Sequence, residues 1–185
     1  MKSLGLLIAL SLAHALHGQV VKDPVAPNPV RVSTRLQLVL ELQQPKVKSG
    51  ERVGARTTYE NISPSAIDVG SGDWTLDYAV TVTDELGREC PRTALGERWL
   101  NEQREPVLLR SEGPVHLEQG TEGKEISMDL AKIYQLTKPG VYFVRFLYRS
   151  IWPDPGESRP TSVEDAQRVP IEEAVSNVVQ FEITP

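Results

Sequence analysis

The stretch "QLTKPGVYFVRFLY", residues 135–148, reads as a corner followed by a strand. Pro139 sets its own φ and Gly140 takes the turn, after which a strand of about nine aromatic and β-branched residues follows. Alternation sends Tyr142, Val144, Phe146 and Tyr148 to one side and leaves Phe143, Arg145 and Leu147 on the other. A period of two marks a strand with one buried face, so the stretch predicts a strand leaving a tight corner.

The same pattern recurs on both sides. Downstream, "SNVVQFEIT" (176–184) predicts a closing strand with Val179, Phe181 and Ile183 facing inward. Upstream, Ile126, Met128 and Leu130 alternate with Ser127 and Asp129, and "DLAKIYQL" fits a single helical turn with Asp129 as its N-cap. Leu36, Leu38, Leu40 and Leu42 form an early strand, "VKSGER" a turn, and Val53 to Tyr59 a second strand closed by "NISPS". A third is expected from Trp74 to Asp84, ending in the hairpin-type turn "DELG". Residues 88–123 offer only short candidates, Val107–Arg110 and Val115–Glu118. Between Ile151 and Ala174 lies an insertion in which Thr161 and Glu164 have capping-box spacing, so a short helix is expected there before Pro170. Many short strands with almost no helical period predict an all-β, antiparallel architecture of packed sheets.

The N-terminus stands outside that pattern. Lys2 precedes an apolar run from Leu4 to Leu12 and then Ala13-His14-Ala15, the layout of a secretory signal peptide. The run falls short of the about 20 residues that a spanning helix needs. Cleavage is expected after Ala15, or alternatively after Gly18, and no membrane insertion is expected afterwards. Residues 16–34, with Pro24, Pro27 and Pro29, read as an extended linker, the alternative being a first edge strand. Residues 35–185 then make one domain. Loss of Lys2 leaves 19 basic against 25 acidic residues without a basic cluster, which argues against nucleic acid as a partner. A single cysteine, Cys90, leaves stability to the core.

"LTKPGVY" (136–142) and "SNVVQFEIT" together resemble immunoglobulin-like β-sandwich domains of the macroglobulin or fibronectin type found in secreted proteins. The resemblance implies that Pro139, Gly140 and Tyr142 build a structural corner, with the tyrosine hydroxyl folded back onto the chain before it. More distantly, the early "GE", the "N-x-S" turn and the late "PG-x-Y" are similar to bacterial intracellular proteinase inhibitor domains.

Chemistry is sparse. After signal removal His116 is the one histidine of the domain, no G-x-S-x-G is present, and a zinc site would need about four Cys and His ligands. His116 is expected exposed on a strand. Cys90, flanked by Arg88 and Arg92, is a small buried residue or, as lesser options, a thiol of lowered pKa or a partner in an intermolecular disulfide. Asp68, Asp73 and Asp77 lie in a Gly-rich stretch that matches no twelve-residue calcium loop and reads as a turn. "NIS" at Asn61 has the form of a glycosylation sequon. No catalytic residue, metal or cofactor is expected. Trp74 is expected to plug the core, whereas Trp99 and Trp152 fall in irregular segments where each either packs under its own loop or projects as a platform. The expected function is that of a secreted or periplasmic, non-enzymatic module binding a protein, or a glycan, through end loops bearing Trp99, Trp152, Arg149 and Asp154. Two alternatives remain: a protease inhibitor acting through residues 151–160, and an accessory domain of an exported assembly.

Overall fold

The computed structural model describes residues 30–69, 78–102, 115–123, 125–150 and 171–185. Strands dominate these residues and pair mostly antiparallel, as the alternation requires. The expected helix at 161–167, the strand at 107–110, and Trp74 lie outside the described residues.

The stretch quoted first is the spine. It forms β9 (Gly140–Ser150), which carries β6 (Tyr78–Asp84) along one edge. Two strands share its other edge. β11 (Val179–Thr184) covers residues 140–144, and β10 (Ile171–Val175) covers 147–150. At the break, Ser176 stands in for a ladder residue: its N–H donates to Phe146 O (2.9 Å) and its hydroxyl accepts from Phe146 N (2.9 Å). At the corner Tyr142 Oη donates to Lys138 O at 2.7 Å.

A second sheet joins β2 (Leu36–Leu42), β4 (Gly54–Asn61) and β8 (Ile126–Asp129). A two-stranded ribbon joins β5 (Ile67–Val69) and β7 (Val115–Leu117). The outer face of the second sheet is polar, and Arg56 on β4 pairs with Glu41 on β2 and Glu125 beside β8. Its inner face presents Leu36, Leu38, Leu40, Tyr59 and Met128, which join Val80, Val144, Phe146 and Phe181 of the first sheet in one core. Tyr59 stacks on Tyr148 across the layers, with centroids 5.3 Å apart and planes at 10°. Tyr59 is hemmed in by Gly123, where a Cβ would fall 1.9 Å from the ring. Only glycine leaves room for that approach.

Three expectations need correction. The segment read as linker to residue 34 ends as its alternative reading has it, in an edge strand, β1 (Val30–Val32), paired parallel to β10. The turn between β2 and β4 contains a short strand, β3 (Lys46–Lys48), which crosses to the first sheet and runs parallel to β11. Pairing is therefore not wholly antiparallel, since chain that changes layers joins an edge in whichever direction it travels. Finally, a helix, α1 (Ala94–Glu102), occupies the weakly patterned region. Thr93 Oγ1 accepts from Gly96 N (3.1 Å), as an N-cap does. Gly96 lets α1 lie on the helical turn α2 (Leu130–Ile133), because a Cβ there would stand 2.2 Å from Ile133 O. α2 is the turn expected from "DLAKIYQL", with Asp129 accepting from Ala131 N.

Candidate binding groove

Among the described residues, apolar side chains reach the surface together beside β2. Its register with β4 determines what its backbone offers. Gln43 N donates to Gly54 O and Ile62 N donates to Arg35 O, so odd-numbered residues of β2 hydrogen-bond β4. The amides of Leu36, Leu38, Leu40 and Leu42 therefore point to the opposite edge. Part of that edge is occupied. Asn177, delivered by the break between β10 and β11, imitates a peptide unit: its Oδ1 accepts from Leu40 N (2.8 Å) and its Nδ2 donates to Leu40 O (3.0 Å). Ser33 Oγ accepts from Leu36 N (3.2 Å). Leu38 lies between these two plugs.

The edge at Leu38 opens into a groove of about 1140 Å³ of free space, reckoned out to open solvent. Leu36 and Leu38 form its floor, and Val32, Val39, Ile62 and Val175 its walls. The walls are exposed, Val32 to 72% and Ile62 to 51%. Ser33, Gln37 and Asn177 complete the lining, so among the described residues no ionisable side chain borders it. In a chain with 24% charged residues this is a distinct surface.

The residues singled out from sequence lie elsewhere. Trp99 is only 3% exposed and packs into the core from α1, so its ring is not a surface platform. The helix turns it inward with Gly96 and Leu100, at i, i+3 and i+4 spacing. Arg149 lies on β9, where its Nε donates to Glu173 Oε1 at 2.7 Å across to β10. Trp152, Asp154 and the rest of 151–160 lie outside the described residues. Cys90 is buried, and desolvation, with Asp84 and Glu89 nearby, pushes its thiol up to about 11. Arg88 and Arg92 do not activate it, because Arg88 pairs with Asp84, and Arg92 with Glu89. Among the described residues no group of three or more His, Cys, Asp or Glu side chains could hold a metal.

His116 is exposed on β7 directly opposite Asp68 on β5, with Nδ1 2.9 Å from Asp68 Oδ1 and Nε2 3.4 Å from Glu118 Oε1. The bond to Asp68 raises its pKa above the ordinary 6.5. Because the folded value lies above the unfolded one, the pair stabilises the ribbon fully below about pH 6.5 and ceases to do so as pH rises through the folded value. Titration of the ring by NMR is expected to give a midpoint above 6.5 that returns toward that value in Asp68→Asn. A midpoint unmoved by that substitution would mean the pair does not exist in solution.

Two features escaped sequence reasoning. The groove is assembled from β1, β2, β10 and the end of β4, and its walls are single valines and an isoleucine that no motif distinguishes. Asn61 read as part of a turn and as a sequon, yet it is fully buried. Its Nδ2 donates to Ser65 O and Leu117 O (both 2.9 Å), and its Oδ1 accepts from Ser63 N (2.9 Å) and Ser63 Oγ (2.6 Å). An amide nitrogen so enclosed cannot carry a glycan in the folded chain.

No family model matches the chain. No curated protein matches it either. Solved structures with loose similarity include the alkylpurine DNA glycosylase AlkC of Pseudomonas fluorescens bound to DNA with an abasic-site analogue (14% identity, 82% of this chain and 31% of that one, TM-score 0.36). A β-glucosidase of Listeria innocua in complex with glucose overlaps 81% of this chain and 16% of its own, at 18% identity and TM-score 0.34. The sulfur carrier protein SoxY of Chlorobium limicola f. thiosulfatophilum overlaps 85% and 86% of the two chains, at 10% identity and TM-score 0.25. This chain thus spans under a third of the first two proteins. Overlaps of this quality carry no argument about function.

Proposed function

We propose that the chain is an exported, non-enzymatic module of immunoglobulin-like β-sandwich type that binds a protein partner, and that it does so through the groove beside β2. The observation that carries this reading is the uncharged, solvent-open apolar lining of that groove. Such surfaces on otherwise charged domains are where proteins dock. The sandwich assignment draws support from the facing sheets and from the Tyr142 hydroxyl bond to Lys138 O. Export rests on the signal-like N-terminus. Among the described residues no helix is long and apolar enough to cross a membrane. The non-enzymatic reading draws support from a buried, poorly ionising Cys90 and a His116 engaged by carboxylates.

A photo-crosslinking residue placed at Val175 is expected to form an adduct in the producing cell's exported fraction, whereas one at Ser127, on the outer face of the second sheet, is not. Adding Val32→Asp and Ile62→Asp should reduce the Val175 adduct at least tenfold without altering the melting temperature by more than about 2 °C, since both are exposed. Equal adducts at both positions would overturn the reading.

A further inference from the structure

We infer that the groove receives its partner as an added strand: an extended, uncharged, apolar segment pairs antiparallel with β2 and exchanges two hydrogen bonds with the backbone of Leu38. The inference rests on the binding reading above and specifies how the site recognises its occupant.

Three observations select that occupant. The first is the backbone. Odd-numbered residues of β2 are spent on β4, Asn177 fills both positions at Leu40, and Ser33 takes Leu36 N. The N–H and C=O of Leu38 are thus turned toward the groove, between plugs that block long edge-to-edge association. An incoming residue opposite Leu38 would complete a hydrogen-bonded pair there. Extension toward Leu40 would require the incoming strand to displace the Asn177 amide, whose two bonds it would reproduce.

The second is charge. Among the described residues no ionisable group borders the groove, so a charged segment would lose hydration against them without compensation. The third is size. A fully exposed aliphatic side chain offers roughly 60–120 Å². At their observed exposures the four walls together supply on the order of 200 Å², against about 800 Å² per partner in a stable dimer. The groove is thus too small for a second copy but matches a strand of a few residues.

The test uses a capped fluorescent hexapeptide alternating threonine and valine, N-methylated at every second residue so that one backbone edge stays free and self-assembly is blocked. Its control carries the same side chains with every amide methylated. In the free protein the Leu38 amide should exchange with solvent deuterium at least tenfold faster than that of Val39. The free-edge peptide should slow Leu38 exchange at least tenfold and bind at least tenfold more tightly than the control. Asn177→Ala, which opens Leu40 to the incoming strand, should tighten binding further, and Val175→Asp should weaken it. Equal binding of both peptides, or binding without protection of Leu38, would overturn strand addition while leaving the groove as a side-chain docking site. Failure of both peptides in a protein whose Val175 crosslink persists would do the same. A concentration-dependent dimer, seen by light scattering and lost in Val175→Asp, would make a second copy the occupant and refute the inference.

Discussion

Replacing Trp99 by alanine is expected to destabilise the domain by about 3–5 kcal/mol, the usual cost of removing a large aromatic side chain from a core. Trp99 is 3% exposed and belongs to the core cluster of the described residues. Its helix offers no easy collapse into the vacated space, because α1 is already in backbone contact with α2 at Gly96 and through the Thr93 N bond to Ile133 O (2.9 Å). For a domain of this size the loss corresponds to a fall in melting temperature of roughly 6–20 °C. Urea denaturation of the wild type, Trp99→Ala and Trp99→Phe would measure it, with the phenylalanine recovering a large part. A change below 1 kcal/mol for the alanine variant would show that α1 is not an integral part of the core. The sequence expectation for this residue points the opposite way, since a loop platform could be truncated without harm to folding.

Asn61→Asp is expected to cost a similar amount, about 3–5 kcal/mol at neutral pH, although it changes one atom group only. The amide nitrogen donates to Ser65 O and Leu117 O, while the oxygen accepts twice from Ser63. A carboxylate would set a negative oxygen against two carbonyl oxygens at a fully buried site. Such a carboxyl is held protonated in the fold, so its pKa lies above the unfolded value of about 3.9. The penalty is therefore least below about pH 4 and grows as pH rises until the folded group ionises. Asn61 also ties the end of β4 to the turn at 120–121 by its backbone, with its N–H donating to Thr121 O (3.1 Å) and its C=O accepting from Gly120 N (2.8 Å). Denaturation of the variant from pH 4 to pH 8 should show stability falling steadily relative to wild type. A pH-independent difference would mean that the site admits water.

The sheets of this protein were legible because their signal is local. Leu36 to Leu42, Tyr142 to Tyr148 and Val179 to Ile183 each repeat every second residue, and a strand with one buried face imposes that period on the chain itself. The corner at Pro139-Gly140 and the cap at Asp129 were legible for the same reason, since a few adjacent residues suffice to build each. α1 carried a weaker mark, the triplet Gly96, Trp99 and Leu100 at helical spacing in a run that also holds Glu97, Arg98 and Glu102. It was overlooked because only three of its positions turn inward.

Alternation and turn chemistry thus marked the strands β2, β4, β6, β8, β9 and β11, their inward faces and a mostly β class, but not the short strands β1, β3 and β5. Tertiary structure decided the pairings that depend on distant chain, including the parallel edges of β1 and β3 and the closure of Leu40 by Asn177, 137 residues away. It also decided which aromatic rings are core and where apolar residues remain exposed. Burial and open edges are properties of surfaces made by several segments at once, and no one segment carries their imprint.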